Sequence, residues 1–493
     1  NLKLKEIITR QSLIYTPFNS LEFLVFFPIV FLLYWHVFKN NLRIQNVLLL
    51  LASYVFYGWW DWRFLGLIIL SSITDYILGQ EIFKSQTIQR KRLFLILSLL
   101  INLGILGFFK YFNFFADSLV YSFNQLGIHI NAVTLKIILP VGISFYTFQT
   151  LSYTIDIYRK RLEPTKDAIA FFTFVAFFPQ LVAGPIERAS NLIPQFLKKR
   201  EIGYEQAVSG LRLILYGFFK KVVIADNLAT YVEMVYNDPA SFNGFQAALA
   251  TVFFAFQIYC DFSGYSDIAI GTARLFGINL MLNFRTPYFS ASIKEFWTRW
   301  HISLSTWFRD YVYIGLGGNK VTQKRWAFNI FITFVISGLW HGANITFIIW
   351  GAIHGSFYMI EKFLKTLIPK VTIPKIIRII ITFVIVNIAW VFFRASSLSQ
   401  AREIISSIFT RFEIQSISSS FQALFSSGKD MFYIFPSLVL FFIIELLLGS
   451  KSIDHLLNPL KRGFRWLIYI LILTWILVFG AFEINQEFIY FQF

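Results

Sequence analysis

Stretches of apolar residues, each long enough to cross a bilayer, recur along the chain from Leu21 almost to its end. A helix needs about 17–25 mostly apolar residues to span the hydrocarbon core. Two further apolar stretches, 168–186 and 204–225, contain prolines, glycines or a lysine pair, which is typical of broken, re-entrant or interfacial helices. The pattern therefore predicts an all-α polytopic membrane protein with about eleven transmembrane helices plus these interrupted ones. The predicted spans are 21–38, 44–60, 64–83, 93–112, 136–157, 245–270, 327–343, 344–361, 377–394, 432–449 and 466–485.

The composition of the whole chain supports this class. Of 493 residues, 56% are hydrophobic and 14% are charged, and the mean hydropathy is +0.61. Soluble domains carry about 25% charged residues, so a soluble enzyme with a single anchor is excluded. Residues 1–17 are more polar and are predicted to form an N-terminal extension to one transmembrane domain over 18–493.

The excess of basic residues predicts the orientation of the chain in the membrane more readily than it predicts a nucleic-acid partner. A net charge of +17 would suit nucleic acid in a soluble protein, but lysine and arginine collect in the cytoplasmic loops of membrane proteins. The basic loops are therefore predicted to be cytoplasmic, and the loops without excess basic charge are predicted to be external. Loops 84–92, 159–166, 362–378 and 451–465 belong to the first group, and 113–135 and 395–430 to the second.

His341 lies inside one of the predicted spans, where an imidazole is costly and usually marks a polar cavity or pathway. It is 14 residues beyond Ala327, so it should lie roughly 21 Å into the membrane, towards the outer face. Gly338 and Gly342 flank it and permit close approach of a backbone or a substrate. An imidazole here can act as a general base without a metal. His354, on the next helix, is interpreted as structural.

A second histidine, His301, lies in a segment rich in tryptophan and arginine. If the segment is one helix, Trp297, His301 and Ser305 stack at i, i+4 spacing. Arg299 and Asp310 add charge, which suits a segment lining a cavity. A plain interfacial helix is the alternative.

Two carboxylates, Asp261 and Asp267, occur in the middle of another apolar run. Ionised carboxylates there need cations or hydrogen-bond donors. A network that orients the site, with basic residues nearby, is favoured over an ion or proton site. Cys260 is the only cysteine, which excludes intrachain disulfides, and no tight ligand spacing indicates zinc, so no metal site is predicted.

Taken together, these segments resemble the membrane-bound O-acyltransferase family, and within it the alginate O-acetyltransferase branch. The resemblance covers about residues 18–493. One departure is Gly315, where the family usually has proline, and this loosens a turn. The matching motifs are Pro179–Arg188, Asp261–Asp267, Trp297–Ser305, Leu339–Asn344 and the closing Phe488–Phe493.

The resemblance implies helices around a central tunnel and a multi-pass location in the bacterial cytoplasmic (inner) membrane. It implies that a cytoplasmic thioester, acetyl-CoA or an acyl-carrier-protein thioester, donates an acetyl group, and that no cofactor is tightly bound. His341 matches the catalytic general base, and His301 would position a substrate or assist proton transfer. The supporting residues would be Trp340, Asn344, Ser337, Arg299, Trp297, Trp307, Asp310, Asp261 and Asp267.

The resemblance also implies an outer-side acceptor, such as a hydroxyl on a periplasmic SGNH-type acetyltransferase that modifies alginate or another exopolysaccharide. Acylation of teichoic acid with D-alanine, of peptidoglycan, of lipid or of a secreted protein remains an alternative. A proton-coupled transporter using the buried histidines and aspartates is a further alternative, weakened because the chain has no clear inverted repeat.

Overall fold

The computed structural model describes residues 18, 20–129, 135, 137–182, 184–369, 373–425, 431–449, 451–482 and 488–491. The predicted N-terminal extension, residues 1–17, lies outside the described residues, as do Ala183, Gln492 and Phe493 of the motifs. Within the described ranges the regular structure is helical, as the sequence predicts.

The described residues form two compact units. One falls within Asn1–Leu211 and Ile268–Met281, and the other within Arg212–Asp267 and Leu282–Phe493. The predicted single domain over 18–493 stays a prediction.

In chain order the helices begin with α1 Leu21–Leu32, α2 Leu42–Lys84, α3 Ile88–Leu106, α4 Phe112–Gln125, α5 Ile143–Tyr158, α6 Ala168–Ala176, α7 Phe178–Leu181, α8 Ala189–Phe196, α9 Tyr204–Phe218, α10 Asp226–Asn237 and α11 Gly244–Leu275. They continue with α12 Ile293–Arg299, α13 Ile302–Trp307, α14 Gln323–His341, α15 Ile345–Leu367, α16 Lys375–Arg394, α17 Leu398–Thr410, α18 Ile417–Leu424, α19 Met431–Leu448, α20 Ile453–Leu457 and α21 Arg462–Phe479.

By length and apolar composition, five helical segments of the described chain can each cross a membrane. The predicted number of about eleven spans stays a prediction, as does the central tunnel. The predicted spans 44–60 and 64–83 lie in one helix, α2, whose backbone leaves helical geometry at Asp61 (φ −160°, ψ 106°). The break therefore falls between the two predicted spans. The five segments are Leu42–Lys84, Ile88–Gln125, Gly244–Leu275, Lys375–Arg394 and Arg462–Phe479.

The two interrupted stretches behave differently. The stretch 168–186 is broken, because α6 ends at Ala176 and α7 restarts with Pro179 in its first turn. In the second stretch, 204–225, the lysine pair Lys220–Lys221 does not end the helix. The helix continues through a π-helical segment, Phe219–Ala225, into α10. Both lysines form buried ion pairs, so their charge does not stop the helix.

The predicted external loop 395–430 is also partly helical, since it contains α17 and α18. Its Ser-rich sequence lacks the long apolar run of a membrane span but still gives α17 an apolar face, and Ala401 and Ile404 are buried. Ser397 caps α17 by accepting a hydrogen bond from the backbone N–H of Gln400 at 3.2 Å.

Helices α14 and α15 form a tight hairpin at glycine positions. A Cβ on Gly338 would collide with the carbonyl oxygen of Phe347, and one on Gly351 would collide with that of Phe334. Such small residues let membrane helices approach closely. The predicted close approach next to His341 is thus made by the backbone of α15.

We expect Gly351→Leu to destabilise the protein by several kcal/mol, because the side chain would have to enter the backbone of α14. Gly66→Leu in α2 is the matched control, since no atom outside its own helix turn lies within 4 Å of its Cβ position. Thermal unfolding in detergent measures both variants. Equal melting temperatures for the two variants would contradict the packing argument.

Candidate functional site

His341 is the last residue of α14, and its ring is enclosed by aromatic side chains. Its exposed fraction is 3%. Ring centroids of Trp340, Trp350, Phe393 and Tyr490 lie 4.9, 5.0, 5.4 and 5.5 Å from that of His341. Helices α14, α15 and α16 and the C-terminal segment therefore all contribute to its surroundings. An apolar lining of this kind keeps bulk water away from the imidazole.

His301 lies at a break between two short helices. Helix α12 ends at Arg299, and His301 has φ +42°, in the left-handed region, before α13 begins at Ile302. A residue other than glycine rarely takes this conformation, and such residues concentrate at functional sites. The break turns the His301 side chain into the protein, where its exposed fraction is 0%.

The predicted i, i+4 stack of Trp297, His301 and Ser305 is therefore wrong. The indole Nε1 of Trp297 donates to Nδ1 of His354 at 3.3 Å, and the Ser305 hydroxyl donates to the carbonyl oxygen of Trp300 at 3.1 Å. Helical spacing does not apply across the break, because the backbone changes direction at His301. The hydrogen bond to His354 agrees with the structural interpretation of that histidine.

The two histidines that the sequence singles out come together. The ring centroids of His301 and His341 are 6.3 Å apart. Trp340 and Tyr490 each contact both rings, at 6.1 Å from His301 in each case. The face of His301 is also covered by Phe262, at 4.6 Å. The two imidazoles are therefore close enough to act on one reacting group.

Tyr490 is a site residue that the sequence reasoning missed. Its hydroxyl is buried and has no hydrogen-bond partner among the described residues. Its neighbour Ile489 is held in place, since the Ile489 backbone N–H donates to Oδ2 of Asp261 at 2.8 Å. The only signal in the sequence is the closing motif, which carries the family resemblance but indicates no position in space.

The carboxylate of Asp261 belongs to a buried charge network. The Lys221 Nζ lies 2.7 Å from Oδ1 of Asp261 and 2.8 Å from Oδ1 of Asp226. Asp261 thus connects this network to the C-terminal segment and, through Ile489, to Tyr490. The geometry fits the interpretation of a network that orients the site.

Asp267 forms a second pair on the same helix. The Nζ of Lys220 is 2.7 Å from Oδ2 of Asp267 and donates to the Ser263 hydroxyl at 2.9 Å. Lys220 also lies over the ring of Tyr216, 4.7 Å from its centroid. Each carboxylate in this apolar run is therefore matched to its own lysine.

The remaining predicted site residues take various positions. Ser337 is buried one helical turn before His341. Asn344 caps α15, because its Oδ1 accepts from the Thr346 N–H at 3.1 Å, and its Nδ2 donates to the Ser396 carbonyl at 3.0 Å. These hydrogen bonds give Asn344 a capping role, and its predicted supporting role at the site stays a prediction.

The charged residues of the His301 segment pair with close neighbours in the chain. Arg299 forms an ion pair with Glu295 at 2.6 Å, and Asp310 pairs with Arg309 at 2.7 Å. Trp307 packs against Tyr311, with ring centroids 4.9 Å apart. These contacts shape the segment around the site.

The arrangement suits acid–base chemistry on a hydroxyl. An imidazole can accept the proton of a hydroxyl that lies within hydrogen-bond reach, and a second imidazole nearby can orient the reacting group or move the proton. The aromatic lining lowers the local polarity, which strengthens electrostatic contacts in the transition state.

Comparisons with known proteins agree with the acid–base chemistry that the geometry of the two histidines suits. The family model of the membrane-bound O-acyltransferases, MBOAT, matches residues 54–399. The probable alginate O-acetylase AlgI of Azotobacter vinelandii is 43% identical over 400 residues, covering 80% of this chain and 78% of the relative. The same-named protein of Pseudomonas aeruginosa is 43% identical over 80% of this chain and 75% of its own length. A peptidoglycan O-acetyltransferase of Helicobacter pylori is 38% identical over 79% of each chain.

Proposed function

Because the chain belongs to the membrane-bound O-acyltransferase family, we propose that this O-acyltransferase transfers an acetyl group from a thioester donor to a polysaccharide of the cell envelope, alginate or a related exopolysaccharide. The observation that carries the proposal is the buried pair of imidazoles, with ring centroids 6.3 Å apart, both of which contact the ring of Tyr490. Such a pair provides both a base for a hydroxyl and a group that positions the thioester.

In the proposed reaction, His341 removes the proton of the acceptor hydroxyl as its oxygen attacks the thioester carbonyl. The new C–O bond forms, the C–S bond breaks, and the departing thiolate takes the proton from the imidazolium of His341. His301 holds the reacting carbonyl or hydroxyl from the other side. The enclosing rings exclude water, which would otherwise hydrolyse the thioester.

We place the donor on the cytoplasmic side and the acceptor on the outer side of the bacterial inner membrane, with the chain crossing it several times. The basic loops support this orientation, because positive charge favours the cytoplasmic side and attracts an anionic donor. A periplasmic SGNH-type acetyltransferase remains the proposed receiving partner.

The test of function is acetyl transfer by the purified protein in nanodiscs. Labelled acetyl-CoA is supplied with alginate oligosaccharides or with peptidoglycan fragments, with and without the candidate periplasmic partner. Label on the alginate fragments supports the proposal. Preferred labelling of peptidoglycan fragments would assign the acceptor named for the Helicobacter pylori relative instead. Solute flux through proteoliposomes without a donor would favour a transporter.

We expect Tyr490→Phe to lower acetyl transfer about tenfold to a hundredfold without unfolding the protein. The change removes only the buried hydroxyl, which makes no hydrogen bond to a described residue, and it keeps the ring that packs on His341 and Phe262. Steady-state transfer by the variant measures the effect. Tyr121→Phe, on an exposed ring of α4, is the control. Wild-type rates in both variants would exclude a role for the Tyr490 hydroxyl.

A further inference from the structure

A buried polar cluster lies within the first compact unit, and the reaction proposed above does not use it. Six side chains from α2, α3 and α5 form the cluster, and all six are buried. Its one carboxylate is Asp75, which lies nine residues before Lys84 on α2, or roughly 14 Å from that end of the helix. The cluster therefore lies inside the predicted span 64–83. The other members are Ser71, Ser98, Asn102, Thr150 and Thr154.

The carboxylate of Asp75 is held by uncharged groups. The Ser98 hydroxyl donates to Oδ1 at 2.6 Å, and Nδ2 of Asn102 donates to Oδ2 at 2.8 Å. Within the part of the chain that the structure describes, no lysine or arginine forms an ion pair with Asp75, whereas Asp261 and Asp267 each face a lysine. A carboxylate inside a membrane protein needs a partner for its charge. The side chains around Asp75 supply hydrogen bonds but no positive charge.

The rest of the cluster surrounds this carboxylate with further oxygen atoms. The Ser98 and Thr154 hydroxyls are 3.0 Å apart. Oδ1 of Asn102 accepts from the Ser71 hydroxyl at 2.6 Å and from the Thr150 hydroxyl at 3.4 Å. A small hard cation is bound by about six oxygen ligands. A proton on Asp75 would need only one acceptor, so the cluster is richer in oxygen than a neutral carboxyl group requires.

A seventh buried group on α2 also indicates a ligand. The Ser72 hydroxyl is fully buried and has no hydrogen-bond partner among the described residues. Ser72 lies three residues before Asp75, so both side chains lie on the same face of the helix. A buried hydroxyl without a partner is costly, and a cation bound next to Asp75 would use its lone pairs.

We propose that this cluster is a binding site for Na⁺. One carboxylate balances one positive charge, which favours a monovalent cation over a divalent one. Neighbouring oxygens of the cluster lie 2.6–3.4 Å apart, and this compact arrangement suits Na⁺ better than the larger K⁺. The bound ion joins α2, α3 and α5 and stabilises the first unit. The site is independent of the proposed acetyl transfer.

The test is thermal unfolding of the purified full chain in detergent, in NaCl, KCl or choline chloride at equal ionic strength. Because an ion that binds only the folded protein stabilises it by mass action, the Tm should rise and then saturate with increasing Na⁺. Choline should have no such effect, and K⁺ should act only at much higher concentration. Asp75→Asn should remove the response to Na⁺. Asp117→Asn, at an exposed position of α4, is the matched control and should keep the wild-type response.

A second variant keeps the test decisive if Asp75→Asn does not fold. Ser72→Ala removes a hydroxyl that makes no hydrogen bond, so its Tm in choline chloride should equal that of wild type. The Na⁺ concentration for half of the maximal effect should rise about threefold to tenfold.

Binding of radioactive ²²Na⁺ to the purified protein measures occupancy directly and should be lost in Asp75→Asn. Equal melting temperatures of wild type in all three salts, or an undiminished Na⁺ response in Asp75→Asn, would overturn the proposal. Stabilisation by low pH that requires Asp75 and is the same in all three salts would assign a bound proton instead of Na⁺.

Discussion

His341→Ala abolishes acetyl transfer, with an expected loss on the order of a thousandfold or more. The imidazole is the group that the proposed reaction uses twice, first as the base for the acceptor hydroxyl and then as the acid for the departing thiolate. Alanine can do neither. The remaining aromatic cage and His301 would still bind substrate, so the loss should fall on kcat more than on KM. Labelled transfer in nanodiscs measures both constants.

Two further variants distinguish a loss of catalysis from a loss of folded protein. His129→Ala removes an exposed histidine near the end of α4 and should keep full activity. His341→Gln retains most of the side-chain volume and a polar group but no titrating nitrogen, so it should fold and stay inactive. If His341→Gln melted like wild type and transferred acetyl at more than a tenth of its rate, a general-base role for His341 would be untenable.

Lys221→Met will cause the largest loss of stability among the substitutions considered. It removes the cation that lies between Asp226 and Asp261 and leaves two buried carboxylates without a counter-charge. Removing one partner of a buried ion pair typically costs about 3–5 kcal/mol, because the remaining charge stays buried. Here two charges remain, so we expect little folded protein in the membrane fraction. Size-exclusion profiles and thermal unfolding in detergent measure the loss.

An exposed lysine provides the matched control. Lys84→Met breaks the surface pair with Glu81 at 3.4 Å and should change the free energy of unfolding by less than about 1 kcal/mol. Lys221→Met combined with Asp226→Asn and Asp261→Asn removes the buried charges together and should recover part of the fold. A Lys221→Met protein as stable as wild type would show that this network does not support the structure.

A milder change in the same network tests its link to the site. Asp261→Asn removes the negative charge but retains an oxygen that can accept from the Ile489 N–H. It should therefore disturb Tyr490 less than Asp261→Ala, which removes that acceptor entirely. We therefore expect faster acetyl transfer by Asp261→Asn than by Asp261→Ala, and equal rates would contradict a positioning role for Asp261 through Ile489.

The sequence by itself determined the all-helical membrane class of the molecule and identified His341 as its candidate general base. Long apolar runs in a bilayer must satisfy their own backbone hydrogen bonds, so they predict helices directly from local composition. Local composition also identified His341, because a titratable side chain within a long apolar run is unusual and can be recognised without any knowledge of the fold. It also predicted the break near Asp61 between two apolar runs.

The tertiary structure decided how the site is assembled. Residues 293–307 are predicted as one helix, yet the chain breaks at His301, which has a left-handed backbone and a side chain buried beside His341. Tyr490 reaches the same place from the end of the chain, held there through Asp261. Lys220 and Lys221 interrupt an apolar stretch in the sequence, and only the structure shows that each pairs with a carboxylate of α11. In each case the contact that assembles the site joins residues that are remote in sequence, or residues whose helical spacing predicts a different contact. Only tertiary packing determines which of these residues meet.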